Sequence, residues 1–183
     1  MKIAPLGREA TIDDLYKVEG KAELVDGRIV LMSPGGDVHG TAAGNIFYSL
    51  KTHQRTHGGG RAYGDTVGFL YSPRRSFCPD ASWYVGPRAG GKMLDGVPLF
   101  AVEVRSPEDY GLAAERRLAA KRAAYFDCGT QVVWDVDGLR AEVIRVYRAA
   151  DPESADVYKR GEVADAEPAV PGWRFRVEEL FED

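Results

Sequence analysis

The chain has 183 residues, 44% hydrophobic and 28% charged, a globular balance that excludes the disordered and membrane-spanning classes. Its formal net charge of −4 argues against coating nucleic acid by bulk electrostatics, a mode built on many Lys and Arg contacts to phosphate, and leaves a local basic face open. The length fits a single domain with a real core, no apolar run approaches a bilayer span, and the start has no apolar signal segment, so a cytoplasmic protein is expected. Cys78 and Cys128 have neither a CxxC partner nor a framework spacing. They read as small buried hydrophobes in a reducing compartment, and a zinc ribbon is excluded.

In chain order, Thr11 and Asp14 form a capping box with a short acid, which predicts a helix from about Ile12 to Val18, stopped at Gly20. Two β segments follow around Asp26-Gly27, the strongest hairpin signal in the sequence. Asp37 then caps a helix whose His39, Ala43, Ile46, Leu50, His53 and His57 recur at helical spacing, and the glycines at 58–60 end it. Strands are expected near Thr66–Tyr71, Asp80–Val85 and Leu99–Arg105, arranged as an antiparallel meander. A second long helix spans roughly Gly111 to Asp127. Gln131–Val136 returns as a strand, which makes a β-α-β step. A last hairpin is expected near Arg140–Arg148 and Val157–Val163, crossing the polar stretch 149–156.

Two positions break this apolar patterning. Asp80 and Glu103 each place a carboxylate where a strand should present a core residue, and an unpartnered buried carboxylate costs several kcal/mol, of the order of 5. Both therefore demand a cation. The strand period of two sets Glu103 and Arg105 on one face with Ala101, opposite Phe100, Val102 and Val104. A carboxylate followed two residues later by a base, with Pro79-Asp80 on a neighbouring strand, is an arrangement that binds a divalent metal. Hard oxygen ligands suit Mg²⁺ or Mn²⁺, which activate water and neutralise charge on a phosphodiester.

The segments Glu23–Gly27, Met32–Pro34, His39, Pro79-Asp80, Glu103–Pro107, Lys121–Tyr125, Val133–Asp137 and Pro171–Trp173, in this order and spacing, closely resemble the Uma-type restriction endonuclease family of the PD-(D/E)xK nuclease superfamily. The resemblance implies an α/β, restriction-endonuclease-like core, with a central mixed sheet flanked by two long helices. It also implies that Asp80 and Glu103 hold the metal with the main-chain carbonyl of Val104, and that Glu23 orients water there. Arg105 stands where the superfamily's catalytic lysine usually falls. In this family the lysine comes from the following helix, where Lys121 matches. Lys121 shares a helical stripe with Leu118 and Tyr125 and so points inward. The expected substrate is DNA, with Arg105, His39 and Arg122 contacting it, and cutting both strands would favour a homodimer.

Each residue also has a plain reading. Asp80 is then a turn residue after Pro79, Glu103 pairs with Arg105, Lys121 reaches water past Tyr125, and Glu23 is a solvated acid at a sheet margin. His53 and His57, four apart, lack the glutamate of the metalloprotease motif and read as a solvated helix end. Arg116, Arg117 and Arg122 read as a solvated helix face rather than a phosphate track; in the functional reading Arg61, Arg74 and Arg75 join them around the cleft, and partial use of that set is favoured. The alternative function is a catalytically inactive nuclease fold that serves as a DNA-binding or protein-interaction module.

Overall fold

The computed structural model describes residues 2–3 and 8–182. Its centre is a six-stranded mixed sheet of β1 (Arg61–Gly64), β2 (Ala81–Tyr84), β3 (Phe100–Val104), β4 (Val132–Asp137), β5 (Val143–Arg148) and β6 (Asp151–Lys159), hydrogen-bonded side by side in that order. Neighbours are antiparallel except β3 and β4, which run parallel because a helix joins them; a parallel pair needs such a crossover.

The two long helices are α1 (Asp37–His57) and α2 (Leu112–Asp127). Ala42, Ala43, Ile46 and Leu50 of α1 pack on the sheet face formed by Trp83, Phe100, Val102, Val104 and Trp134. On the opposite face Ala101 and Val133 meet Tyr125 of α2, which stacks on Phe77 with ring centroids 4.3 Å apart. The alternation expected along β3 is therefore realised, with aliphatic residues toward α1 and Ala101 and Glu103 toward α2. All six residues of β4 are buried, as a central strand covered on both faces requires. Among the described residues no helix is long and apolar enough to cross a membrane.

The hairpin of Ala22–Val25 and Arg28–Leu31 turns at Asp26 (φ 48°) and Gly27 (φ 76°), the doubly left-handed pair that a two-residue hairpin demands. It docks beside the strand Arg75–Phe77, where the Leu24 amide donates to Ser76 Oγ at 2.8 Å.

Several expectations change. The short helix keeps its capping box but ends at Leu15. Gly36, not Asp37, is the cap residue of α1. The meander does not form: Phe69–Ser72 pairs with Arg75–Phe77 and Leu94–Asp95 in a separate small sheet, and only β2 and β3 are neighbours. The polar stretch read as a crossing is itself strand, the start of edge strand β6. From Asp151 to Ser154 every residue is exposed, so no alternation marks that start.

Candidate active site

Asp80 stands one residue before β2 and is fastened to β3 twice. Its amide donates to the Val102 carbonyl at 2.9 Å, and its Oδ2 accepts from the Val104 amide at 2.8 Å. Asp80 is thus tied to the residue that follows Glu103, at the sheet end where β3 stops.

Glu103 points from β3 toward α2. Lys121 Nζ donates to its Oε2 at 2.8 Å, and one turn later the Tyr125 hydroxyl donates to its Oε1 at 2.7 Å. Lys121 also lies 3.0 Å from Glu23 Oε1, an oxygen that accepts from the Cys78 amide at 2.8 Å. The hairpin, the 77–80 segment, β3 and α2 therefore meet at one cluster. Lys121 is inward, as its stripe predicts, and Glu103 pairs with Lys121 rather than Arg105.

Sequence reasoning missed Lys21. Its ammonium lies 3.0 Å from Asp80 Oδ1 and 3.7 Å from Asp65. It precedes the hairpin strand without periodicity, so nothing local distinguished it. His39, in the first turn of α1, brings Nε2 to 3.3 Å from Asp80 Oδ2. Gly35 makes room for that ring, since a Cβ there would fall 2.5 Å from His39 Nδ1. Tyr125 was seen only as an apolar marker, and its hydroxyl is the part that reaches the site.

The cluster's electrostatics are lopsided. Burial raises Asp80, but His39, Lys21 and the Val104 amide together hold it well below the usual carboxylate range. Burial lifts Glu103 to about 7, and Asp80 and Glu23 add to that lift against Lys121. Burial lowers Lys121 while Glu103 and Glu23 raise it, and the net direction is up. The Asp80 hydrogen bond raises His39. For Glu103 burial is the largest cause, so it is a desolvated carboxylate whose ionised form a further cation would favour. Carboxylate oxygens such as those of Asp80 and Glu103 are the hard donor type that Mg²⁺ and Mn²⁺ take. Among the described residues no three His, Cys, Asp or Glu side chains form an ion cage.

Arg105 is placed differently from the expectation. Its guanidinium is 5% exposed and grips both oxygens of Asp135 at 2.6 and 2.7 Å, with Glu115 on its other side at 3.0 Å. Its donors are taken by carboxylates, which leaves no free fork for a phosphate. Arg122 lies 3.6 Å over the Tyr147 ring and lines a narrow crevice with Glu103 and Lys121. Arg74 and Arg75 pair with Glu9 and Asp26 at 2.7 and 2.8 Å, away from the cluster. His53 and His57 stack on one another at 4.4 Å near Trp83, and among the described residues they belong to no group of three or more His, Cys, Asp or Glu that could hold a metal.

A family model, "Uma2: Putative restriction endonuclease", matches residues 11–178. The chain belongs to the Uma2 family. Its fold is similar to the crystal structure titled "a putative nuclease belonging to DUF820 from Anabaena variabilis ATCC 29413", with TM-score 0.75, 16% identity, and 93% of this chain and 97% of that chain covered. At that identity the likeness is one of fold. No curated protein matches the sequence. Glu23, Asp80, Glu103 and Lys121 of this Uma2 chain come from four separate segments, and the fold brings them to one end of the sheet.

Proposed function

We propose that the protein is a divalent-metal-dependent endonuclease that hydrolyses phosphodiester bonds of DNA in the cytoplasm. Asp80, Glu103 and the Val104 carbonyl would hold Mg²⁺ or Mn²⁺. The observation that carries this reading is the junction of Glu103 with Lys121, 2.8 Å apart, one residue from the amide that fastens Asp80. When bound, a divalent ion supplies a lowered water pKa and charge neutralisation at the scissile phosphate.

The chain's own groups do the rest. Lys121 keeps its proton, because two carboxylates surround it, and donates to the attacking water or to a phosphate oxygen as charge develops. Glu23 holds the Lys121 ammonium from the other side and accepts from water in the same space. Tyr125 fixes the orientation of the Glu103 carboxylate through its hydroxyl. Lys21 and His39 do the same for Asp80, and His39 is placed to contact the substrate. No protein nucleophile is required.

The test is cleavage of supercoiled plasmid with Mg²⁺ or Mn²⁺, with and without chelator, in the native protein and in Asp80→Ala. Metal-dependent nicking or linearisation that Asp80→Ala loses supports the reading. DNA binding without cleavage under every metal condition replaces it with the inactive-module alternative.

A further inference from the structure

At the edge of the central sheet, where β1 has no hydrogen-bonded strand beyond it among the described residues, lies a second concave feature. It is a cleft of about 410 Å³ whose lining includes Lys51, Arg61, Arg88 and Lys92 and no acidic residue. None of these four cations has a carboxylate within ion-pair distance among the described residues, whereas Arg74, Arg75, Arg105, Arg148 and Arg160 are all paired. In a chain of net charge −4, four uncompensated cations around one concavity form a local positive potential that concentrates anions. Arg61 is already held in place by the Tyr63 hydroxyl at 3.0 Å and the Gly86 carbonyl, while Arg88 and Lys92 are exposed.

The register ties this cleft to the active site. Gly64 of β1 pairs with Ala81, the residue after Asp80, and Arg61 pairs with Tyr84 at the other end. Three residues of strand span roughly 10 Å. Tyr63 and Arg61 lie on the face that carries Glu103, because their partners Ser82 and Tyr84 alternate with Ala81 and Trp83, and Ser82 pairs with Ala101. With one phosphate per about 3.4 Å of helix axis on each strand of duplex, Arg61 of the cleft stands about three nucleotides from the end of β2 that carries Asp80.

We propose that this cleft grips the phosphodiester backbone of the substrate a few nucleotides from the scissile bond, through Lys51, Arg88 and Lys92 around a fixed Arg61. This rests on the nuclease reading for its substrate, but its test does not need cleavage. Duplex binding is measured by fluorescence anisotropy in chelator over a range of NaCl, for the native protein, Arg88→Gln/Lys92→Gln, and Arg160→Gln/Arg176→Gln as an equal-charge control elsewhere. The slope of log K against log salt should shrink by about two in the cleft variant, one for each lost phosphate contact, and stay unchanged in the control. An unchanged slope in the cleft variant, an equal fall in the control, or no duplex binding by the native protein overturns the proposal. Cleft-dependent binding without metal-dependent cleavage would instead refute the nuclease reading and leave the cleft standing. Cleavage with an unchanged slope would refute the cleft alone.

Discussion

Lys121 reaches Glu103 across 2.8 Å while sitting 3.0 Å from Glu23, so one ammonium joins a sheet carboxylate to a hairpin carboxylate. Replacing it by methionine keeps the aliphatic stem and deletes the charge. Turnover of Lys121→Met is expected to fall by on the order of 10²-fold or more, the scale of one lost transition-state donor, while DNA affinity stays near native. Single-turnover kinetics check this, and turnover within a few fold of native would remove Lys121 from the chemistry.

Arg105→Met is expected to act on stability. The guanidinium is buried against Asp135 and Glu115, and stripping one partner from a buried pair costs about 3–5 kcal/mol. Urea denaturation should show that loss, with DNA affinity per folded molecule unchanged. A stable variant with weakened DNA binding would return Arg105 to the substrate.

Tyr125→Phe preserves the stack on Phe77 and removes only the 2.7 Å hydrogen bond to Glu103. Loss of such an orienting bond commonly costs about 10–100-fold in activity or metal affinity. Titration of Mn²⁺ against activity should show the curve moving to higher metal. An overlapping curve would make Tyr125 purely a packing residue.

His53 and His57 stack on each other, and burial and the His57 charge lower the pKa of His53. Their double alanine variant is expected to lose some stability, since His53 packs near Trp83, and to keep full nuclease activity per folded molecule. Stoichiometric zinc in the native protein that vanishes in the variant would reverse this.

Acid sensitivity follows from Asp137. Burial raises its pKa, but the Tyr110 hydroxyl and the Arg140 amide prevail and hold it below the ordinary value. A depressed carboxylate contributes stability that is present above its unfolded pKa of about 4 and lost as pH falls through the folded value. Stability measured in urea should therefore drop below about pH 4, and Asp137→Asn should flatten that drop. An identical pH profile in the variant would assign the acid loss elsewhere.

The sequence carried the parts of this fold that local chemistry dictates. The Asp26-Gly27 turn, the helix ended at Gly58, and the apolar alternation around Glu103 each follow from a short-range rule. Lys121 was legible because Leu118 and Tyr125 mark the inward stripe of its helix. Lys21 was not, because its partner Asp80 is 59 residues away and the segment before its strand has no period. Arg105 was misjudged for a related reason: Asp135 lies opposite Glu103 on the neighbouring parallel strand, a juxtaposition that only the sheet register creates. The start of edge strand β6, over Asp151–Asp156, shows no alternation because its side chains are almost all exposed, whereas its end overlaps the strand expected from Val157.

The central claim is that Asp80 and Glu103 share one divalent ion, and a crystal soaked with Mn²⁺ tests it most directly. A single anomalous peak is expected about 2.1 Å from one oxygen of each carboxylate, with the Val104 carbonyl as a third protein ligand, and no peak in Asp80→Ala. An empty site at saturating Mn²⁺, or a peak bound by other residues, would contradict it.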